Sequence, residues 1–500
     1  MSTLRKFAGQ TAIYGLSTIV ARLLNFILTP IYVSVYPAKV YGIFVTLYSY
    51  VAMLNALLAF GMETTFFRYL NKHEDKKDRV YSNSFIIIAF LSALFLVFTF
   101  LFLDNIIVWL YEDSVASLGD YSAFVKFFVG VLVVDALCVI PFAKVRADER
   151  PGRYGIIKFV NILTFLGLNL AFIYVIPYFI SQNIAAELFT PWFREGWVGY
   201  VFVSNLIASI VTLFLLLPEL LQIKPAFDRA LFKDMVTYSW PVLIANISFL
   251  INENIDKIFL SKLLPELEGT QAVGIYGACA KIAIFLSIFI QAFRLGAEPF
   301  FFSYAKNEKA PQTYAMIMKY FVIAISAIFI GLVANIEVLK YFIEGGNKIQ
   351  EALYWSGLPV VPILLLGYVC LGIYMNLSVW YKLSDQTKYG LYISGIGAVV
   401  TIVLNVIFIP RFSYMAAAWV SLAAYGTMMI ISYLLGQKNY PIPYNLKKNV
   451  FYLGLSVIMV YLSFVTFNRN LIAGNILLVI FLTIAVFMER KELSLILRKR

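Results

Sequence analysis

The sequence predicts an all-α polytopic membrane protein, with about fourteen transmembrane helices in two pseudo-twofold related six-helix lobes plus two C-terminal helices. Three observations carry this expectation. The 500 residues are 61% hydrophobic and 14% charged, with a mean hydropathy of +0.82, whereas a soluble protein is about half apolar and a quarter charged. Apolar stretches long enough to cross a hydrocarbon core of about 30 Å recur from one end of the chain to the other. The stretch "GMETTFFRY" at 61–69 returns in the second half of the chain as "GAEPFFFSY" at 296–304, which marks an internal repeat.

The expected spans are 10–34, 40–63, 81–103, 122–143, 154–176, 197–217, 236–260, 273–302, 314–335, 353–380, 389–409, 415–435, 449–467 and 470–488. The first carries Arg22 inside a long apolar region, unlike a cleaved signal peptide, and is read as a retained helix. Outside the spans, the two termini and the loops after even-numbered helices hold roughly four times as many Arg and Lys residues as the loops after odd-numbered ones, which predicts cytoplasmic termini.

The repeat extends beyond its signature. The offset that carries Gly61 to Gly296 also carries Tyr41-Gly42 to Tyr276-Gly277, and "YGIIKF" at Tyr154 to "YGLYIS" at Tyr389. Residues 1–217 therefore form an expected N-lobe of helices 1–6, and 236–436 a C-lobe of helices 7–12. Six helices per copy is an even number, so both copies enter the membrane in the same orientation. Residues 437–500 add helices 13–14 and a basic cytoplasmic tail. The cytoplasmic linker at 218–235 has apolar residues among charges and reads as a short interfacial helix.

Several functions are disfavoured by what the chain contains. Its net charge of +12 follows from the loop bias, so nucleic acid is not an expected partner, and membrane lipid is. Cys138, Cys279 and Cys370 fall in three different spans without metal-ligand spacing. The sole histidine, His73, sits in a charged loop, and no nucleotide-binding, HExxH or GxSxG motif occurs. No cofactor or catalytic site is expected.

Charged residues inside spans are the informative ones, because each costs about 2.5–3.5 kcal/mol at the bilayer centre and so tends to face a cavity. Lys126, Lys158 and Lys319 lie near helix ends, where they can snorkel. Arg22, Asp135, Lys281, Arg294, Glu253, Asp256 and Lys257 lie deeper. Arg22 and Asn25 share a polar face of the first span, Gln291, Arg294 and Glu298 share one on the eighth, and Asn246 and Glu253 share one on the seventh. The competing reading is structural: Arg294 with Glu298, and Glu253 with Lys257, are at i, i+4 spacing and could neutralise each other. Glu63 and Glu298 read as a duplicated structural corner or as parts of a cytoplasmic gate. Arg294 pairs with Ala59 in the repeat, so its charge is not duplicated.

Three stretches together resemble the polysaccharide-exporter branch of the multidrug/oligosaccharidyl-lipid/polysaccharide (MOP) flippase superfamily: "LTPIYVSVYPAKVYGIF", "YSWPVLIANISFLINENIDKIFL" and "AVGIYGACAKIA" followed by "IQAFRLGAEPFFF". That resemblance implies two lobes that rock to open a central cavity to either side of a bacterial cytoplasmic membrane. The implied cargo is an undecaprenyl-pyrophosphate-linked oligosaccharide used in O-antigen, capsule or exopolysaccharide assembly, and the implied partners are a polysaccharide polymerase and a chain-length regulator. In similar lipid II flippases, two extra helices form a lipid-facing groove.

The residues fit such a cargo on chemical grounds. A pyrophosphate calls for cations, which Arg22, Arg294 and Lys281 are placed to supply, and guanidinium groups give it directed paired hydrogen bonds. Sugars call for neutral polar groups such as Asn25, Asn246 and Gln291. Asp135, Glu253, Asp256, Glu63 and Glu298 are the expected coupling or gating groups. Two rivals remain: a cation-coupled multidrug or metabolite antiporter, which would use Asp135 and Glu253, and a membrane glycosyltransferase or polymerase.

Overall fold

A computed structural model describes residues 26–111, 116–224, 226–305, 307–384 and 386–498. Arg22 and Asn25 lie outside the described residues. The fold is all-helical, and eleven helices among the described residues are long and apolar enough to cross a membrane. The chain divides into two compact units, Met1–Gly274 and Ile275–Arg500.

The first unit opens with α1 (Phe26–Val35) and α2 (Ala38–Ala59). The repeat signature breaks the helix here: Phe60 and Gly61 both take left-handed conformations, with φ of 50° and 65°, before α3 (Met62–Lys72) begins. Gly61 tolerates that φ because it lacks a Cβ. Then follow α4 (Lys77–Leu101), α5 (Leu103–Leu110), α6 (Leu118–Ala147) and α7 (Pro151–Leu170). A π-turn at Ala171–Val175 carries α7 into α8 (Ile176–Ser181), and the single turn α9 (Ala186–Phe189) precedes α10 (Gly199–Leu215).

The linker holds one helical turn, α11 (Leu217–Leu220), before α12 (Arg229–Leu263) starts, so among the described residues no separate interfacial helix spans 218–235. Hydrogen bonds to α4 replace it. Ser82 Oγ donates to the Lys224 carbonyl, Asn83 Nδ2 to the Asp228 carbonyl at 2.9 Å, and Arg79 pairs with the Asp228 carboxylate at 3.3 Å. Asp228 also caps α12 by accepting from the Leu231 amide, and that bond, with Arg79 and Lys76, holds its carboxyl below the ordinary 3.8. The apolar core gathers Met62 and Phe66 of α3, Ile88 of α4, Ala136 and Ile140 of α6, and Met235 of α12.

Helix α13 (Glu266–Tyr304) runs across the boundary between the units. Its first turns pack on α2 with very close backbones: a Cβ on Gly42 would lie 1.9 Å from the Thr270 carbonyl oxygen, and one on Gly274 would lie 1.9 Å from that of Ala38. Small residues one helical turn apart permit this approach.

The second unit continues with α14 (Ala310–Ala334), α15 (Ile336–Leu339), α16 (Lys348–Trp355), α17 (Val360–Leu377) and α18 (Val379–Leu383). Helix α19 (Lys388–Asn439) covers both spans expected at 389–409 and 415–435; it bends where Ser413 takes a φ of 50° and ψ of −139°. The chain ends in α20 (Leu446–Tyr461) and α21 (Leu471–Arg498), which pack on α14.

Lys319 of α14 does not snorkel. It is buried, and its ammonium donates to Glu489 at 2.7 Å and to Glu492 on α21, while Lys448 and Tyr452 of α20 bind the other Glu489 oxygen at 2.8 and 2.9 Å. One charge cluster therefore ties both C-terminal helices to the repeat.

Candidate functional site

Four helices and the corner at α3 enclose a polar cavity of about 290 Å³ in the first unit. Its wall takes Asn55 from α2, Glu63 from α3, Asp135 and Arg146 from α6, Lys158 and Asn161 from α7, and Asn205 and Ser209 from α10. These positions come together because α6 packs on both α7 and α10. Asn161 Nδ2 donates to the Ala208 carbonyl at 3.0 Å and to Thr212 Oγ1 at 2.9 Å, and Asn205 Nδ2 donates to the Tyr48 hydroxyl at 2.9 Å. Both carboxamides are thereby oriented.

Asp135 and Lys158 line this cavity from neighbouring helices, and no close ion pair joins them among the described residues. The Lys158 ammonium instead lies 4.3 Å from the centre of the Phe142 ring, a cation–π contact that leaves its charge unneutralised. At the rim, Arg146 Nη2 donates to Glu63, and its guanidinium lies 5.0 Å from the Phe67 ring.

The repeat does not reproduce this chemistry. The offset that carries Gly61 to Gly296 carries Asp135 to Cys370, Lys158 to Ile393 and Asn161 to Ile396. The polar chamber is therefore built into one copy of a duplicated scaffold. The ion pair at the corner recurs but the helix break does not: Lys382 of α18 donates to Glu298 inside the continuous α13 of the second unit.

That bridge decides how Arg294 stands. Its i, i+4 neighbour Glu298 is taken by Lys382, so the neutralising pair allowed by spacing does not form, and among the described residues the exposed Arg294 guanidinium has no ion-pair partner. Arg294 and Glu298 line a small cleft of about 10 Å³ with Asn376 of α17, whose amide nitrogen is buried and has no hydrogen-bond partner. Sequence spacing gave no hint of Asn376, which comes from a different helix.

The other expected residues stand as follows. Gln291 Nε2 donates to Ser287 Oγ at 3.4 Å, and Lys281 is half-buried on α13. Asn246 and Glu253 lie on α12, and both are exposed. Lys257 does not pair with the Glu253 carboxylate: its ammonium donates to the Asp256 carboxylate at 2.9 Å and to the Glu253 main-chain carbonyl. Glu63, Asp135, Asn246, Glu253 and Asp256 belong to the first unit, and Lys281, Gln291, Arg294 and Glu298 to the second.

The chain is a multi-pass helical membrane protein built on a repeat, and comparison with known proteins finds transporters and flippases of similar fold. The MatE family matches residues 241–407, and the polysaccharide biosynthesis protein family matches 155–304. An uncharacterized membrane protein of Methanocaldococcus jannaschii is 23% identical over 434 residues, which is 83% of this chain and 81% of the relative. The lipid II flippase MurJ, in an inward closed conformation, is similar with a TM-score of 0.70 at 13% identity, covering 96% of this chain and 99% of that one. A multidrug resistance MATE family transporter of the MOP superfamily, in an inward-facing conformation, gives a TM-score of 0.67 at 14% identity, covering 84% and 94%. Together these findings support the MOP flippase superfamily, without singling out its polysaccharide-exporter branch.

Proposed function

We propose that the protein is a flippase that moves an undecaprenyl-pyrophosphate-linked oligosaccharide across the cytoplasmic membrane for cell-surface polysaccharide assembly, by alternating access. The observation that carries this reading is Arg294. A guanidinium in a spanning helix is costly, its nearest acid is held by Lys382, and the unpartnered Asn376 amide lines the same cleft. The Arg294 guanidinium and the Asn376 amide nitrogen line one cleft beside the Lys382-bound Glu298, and donors of these kinds suit a diphosphate, which presents several anionic oxygens. Such a flippase would hand its cargo to a polysaccharide polymerase and a chain-length regulator on the outer side.

A cation-coupled antiporter is the second reading, favoured by Asp135 in its cavity and by the MatE match. The unneutralised Lys158 and Arg294 count against a cationic cargo. A thermal-shift experiment separates the two. A short-chain polyprenyl diphosphate should raise the Tm of the detergent-solubilised protein, because a ligand that binds only the folded state stabilises it, and Arg294→Ala should lose that shift. Stabilisation by an organic cation, with none from the diphosphate, would favour the antiporter.

A further inference from the structure

Between α8 and α10 the first unit carries a segment, 182–198, that the repeated scaffold does not require. In the second unit the matching spans, 389–409 and 415–435, run on as the single bent helix α19. The added segment is pinned at its far end. Arg194 pairs with the Asp120 carboxylate at 2.8 Å, and Trp197 Nε1 donates to the same carboxylate at 2.8 Å. The Arg194 amide donates to the Tyr200 hydroxyl at 2.8 Å, and the Tyr200 ring stacks on Phe193 at 5.3 Å and on Phe172 of the π-turn at 4.5 Å.

The segment nevertheless leaves large apolar side chains open. Ile184, Leu188 and Trp192, four residues apart, are 50%, 66% and 47% exposed. They follow in the chain on a helical row of exposed residues, Phe159, Leu163, Tyr174 and Tyr178, along a span that runs from Pro151 to Ser181, and such a row on a spanning helix faces lipid. Gln182, Asn183, Glu187 and Glu195 are exposed as well, so the segment is amphipathic rather than apolar throughout.

Its backbone distinguishes lipid from water as the covering medium. A loop in water can leave its amides and carbonyls to the solvent, whereas one at the edge of the hydrocarbon must satisfy them internally. Here the amides of Ile184, Leu188, Thr190 and Phe193 donate to the carbonyls of Phe179, Ala185, Ala186 and Phe189 at 2.8–3.0 Å. The Trp192 indole N–H donates to the Leu188 carbonyl at 2.8 Å, and the Thr190 hydroxyl to that of Ala186 at 2.7 Å. The Trp192 ring can therefore enter an apolar boundary without stranding a donor.

We infer that 182–198 is a membrane-interfacial foot, whose partner is the lipid at the boundary between headgroups and acyl chains. Ile184, Leu188 and Trp192 enter that boundary, about 5–10 Å deep as amphipathic interfacial segments lie, while Glu187 and Glu195 stay in water. Trp and Tyr are the residues enriched at this level of the bilayer, and Tyr174, Tyr178 and Trp192 supply them here. The anchorage belongs to one copy of the repeat, and it stands apart from the identity of the cargo.

The test is the depth of spin labels in the full-length protein in phospholipid nanodiscs. Cys138, Cys279 and Cys370 are replaced, and single cysteines are placed at 184, 188, 192, 187 and 195. Oxygen concentrates in the bilayer and a charged nickel chelate in water. Labels at 184, 188 and 192 should relax more with oxygen than with nickel, as a label at Phe159 does, and labels at 187 and 195 should show the reverse. A second measurement keeps the native cysteines: Trp192→Phe should remove an emission component that brominated lipid quenches and aqueous iodide does not. Stronger relaxation by nickel at 184, 188 and 192, or a lost component quenched by iodide, would place the segment in water and overturn the inference. Shielding of those three labels from both reagents would overturn it in favour of a protein partner on the same face.

Discussion

The guanidinium of Arg146, at the end of α6, donates to the carboxylate of Glu63 on α3, and the second unit repeats the bridge with Lys382 and Glu298, at positions equivalent in the repeat to within a single place. Two copies of one scaffold have kept a cross-helix ion pair while changing its cation from arginine to lysine. The Glu63 side chain is 50% exposed and that of Arg146 28%, so the pair is worth about 0.2–1 kcal/mol. Arg146→Ala should therefore lower the Tm only slightly. The exchange Glu63→Arg with Arg146→Glu should restore it, as a double-mutant cycle would measure. A loss of several kcal/mol would mean that the bridge is far less hydrated than its exposure indicates.

The Lys319 cluster is a different case, because both side chains of the Lys319–Glu489 pair are nearly inaccessible, at 6% and 2%. Removing one partner of a buried pair costs about 3–5 kcal/mol, whereas replacing both with apolar groups of similar volume is often tolerated. Lys319→Met should detach α20 and α21, seen as protease cleavage in the segment joining α19 to α20. Lys319→Met combined with Glu489→Leu should recover much of the lost stability. Protection of that segment in the single variant would show that apolar packing alone holds the C-terminal helices.

The close approach of α2 and α13 predicts a sharp contrast between two glycines. Gly42→Ala places its Cβ against the Thr270 carbonyl and should cost at least the roughly 1–3 kcal/mol of overpacking. Gly167→Ala on α7 has no atom within 4 Å of its new Cβ and should be close to neutral. Comparing the yield of folded protein after detergent extraction for the two variants checks this directly.

What the sequence made legible was periodic or repeated. Hydropathy pointed to a chain of spanning helices, eleven of which stand among the described residues, and the recurrence of Gly61-Met62-Glu63 as Gly296-Ala297-Glu298 pointed to the duplicated ion pair. It stayed silent on partners drawn from other helices. Spacing along one helix offers Glu298 only Arg294, and Glu253 only Lys257, yet the carboxylates and cations are allocated by tertiary packing: Lys382 reaches Glu298, and Lys257 turns to Asp256. Lys319 read as a snorkelling residue because its acids lie on the last helix, far along the chain. Asn376, Asn161 and Asn205 carry no signal at all in an apolar span, since a single carboxamide barely alters its hydropathy.

Asp135 and Lys158 line one polar cavity, and no ion pair joins them among the described residues. If protons drive transport, Asp135→Asn should abolish the dependence of transport on an imposed pH gradient while leaving downhill movement intact. Lys158→Met should alter the pH at which the gradient acts. Unchanged gradient dependence in Asp135→Asn would remove this residue from coupling and leave it a structural member of the wall.

Arg294 carries the proposed function, and the most direct measurement of its role is translocation by the purified protein in proteoliposomes. A fluorescent oligosaccharide linked through diphosphate to a polyprenyl chain is incorporated on both leaflets, and the fraction open to a membrane-impermeant quencher is followed over time. The wild-type protein should bring the inner pool into reach of the quencher. Arg294→Ala, at equal abundance, should fall to the rate of protein-free vesicles, and Arg294→Lys should restore only part of it because a point charge replaces a planar fork. Equal rates for wild type and Arg294→Ala, or no translocation by the wild type when an imposed ion gradient of either sign is present, would contradict a diphosphate-linked cargo held by Arg294.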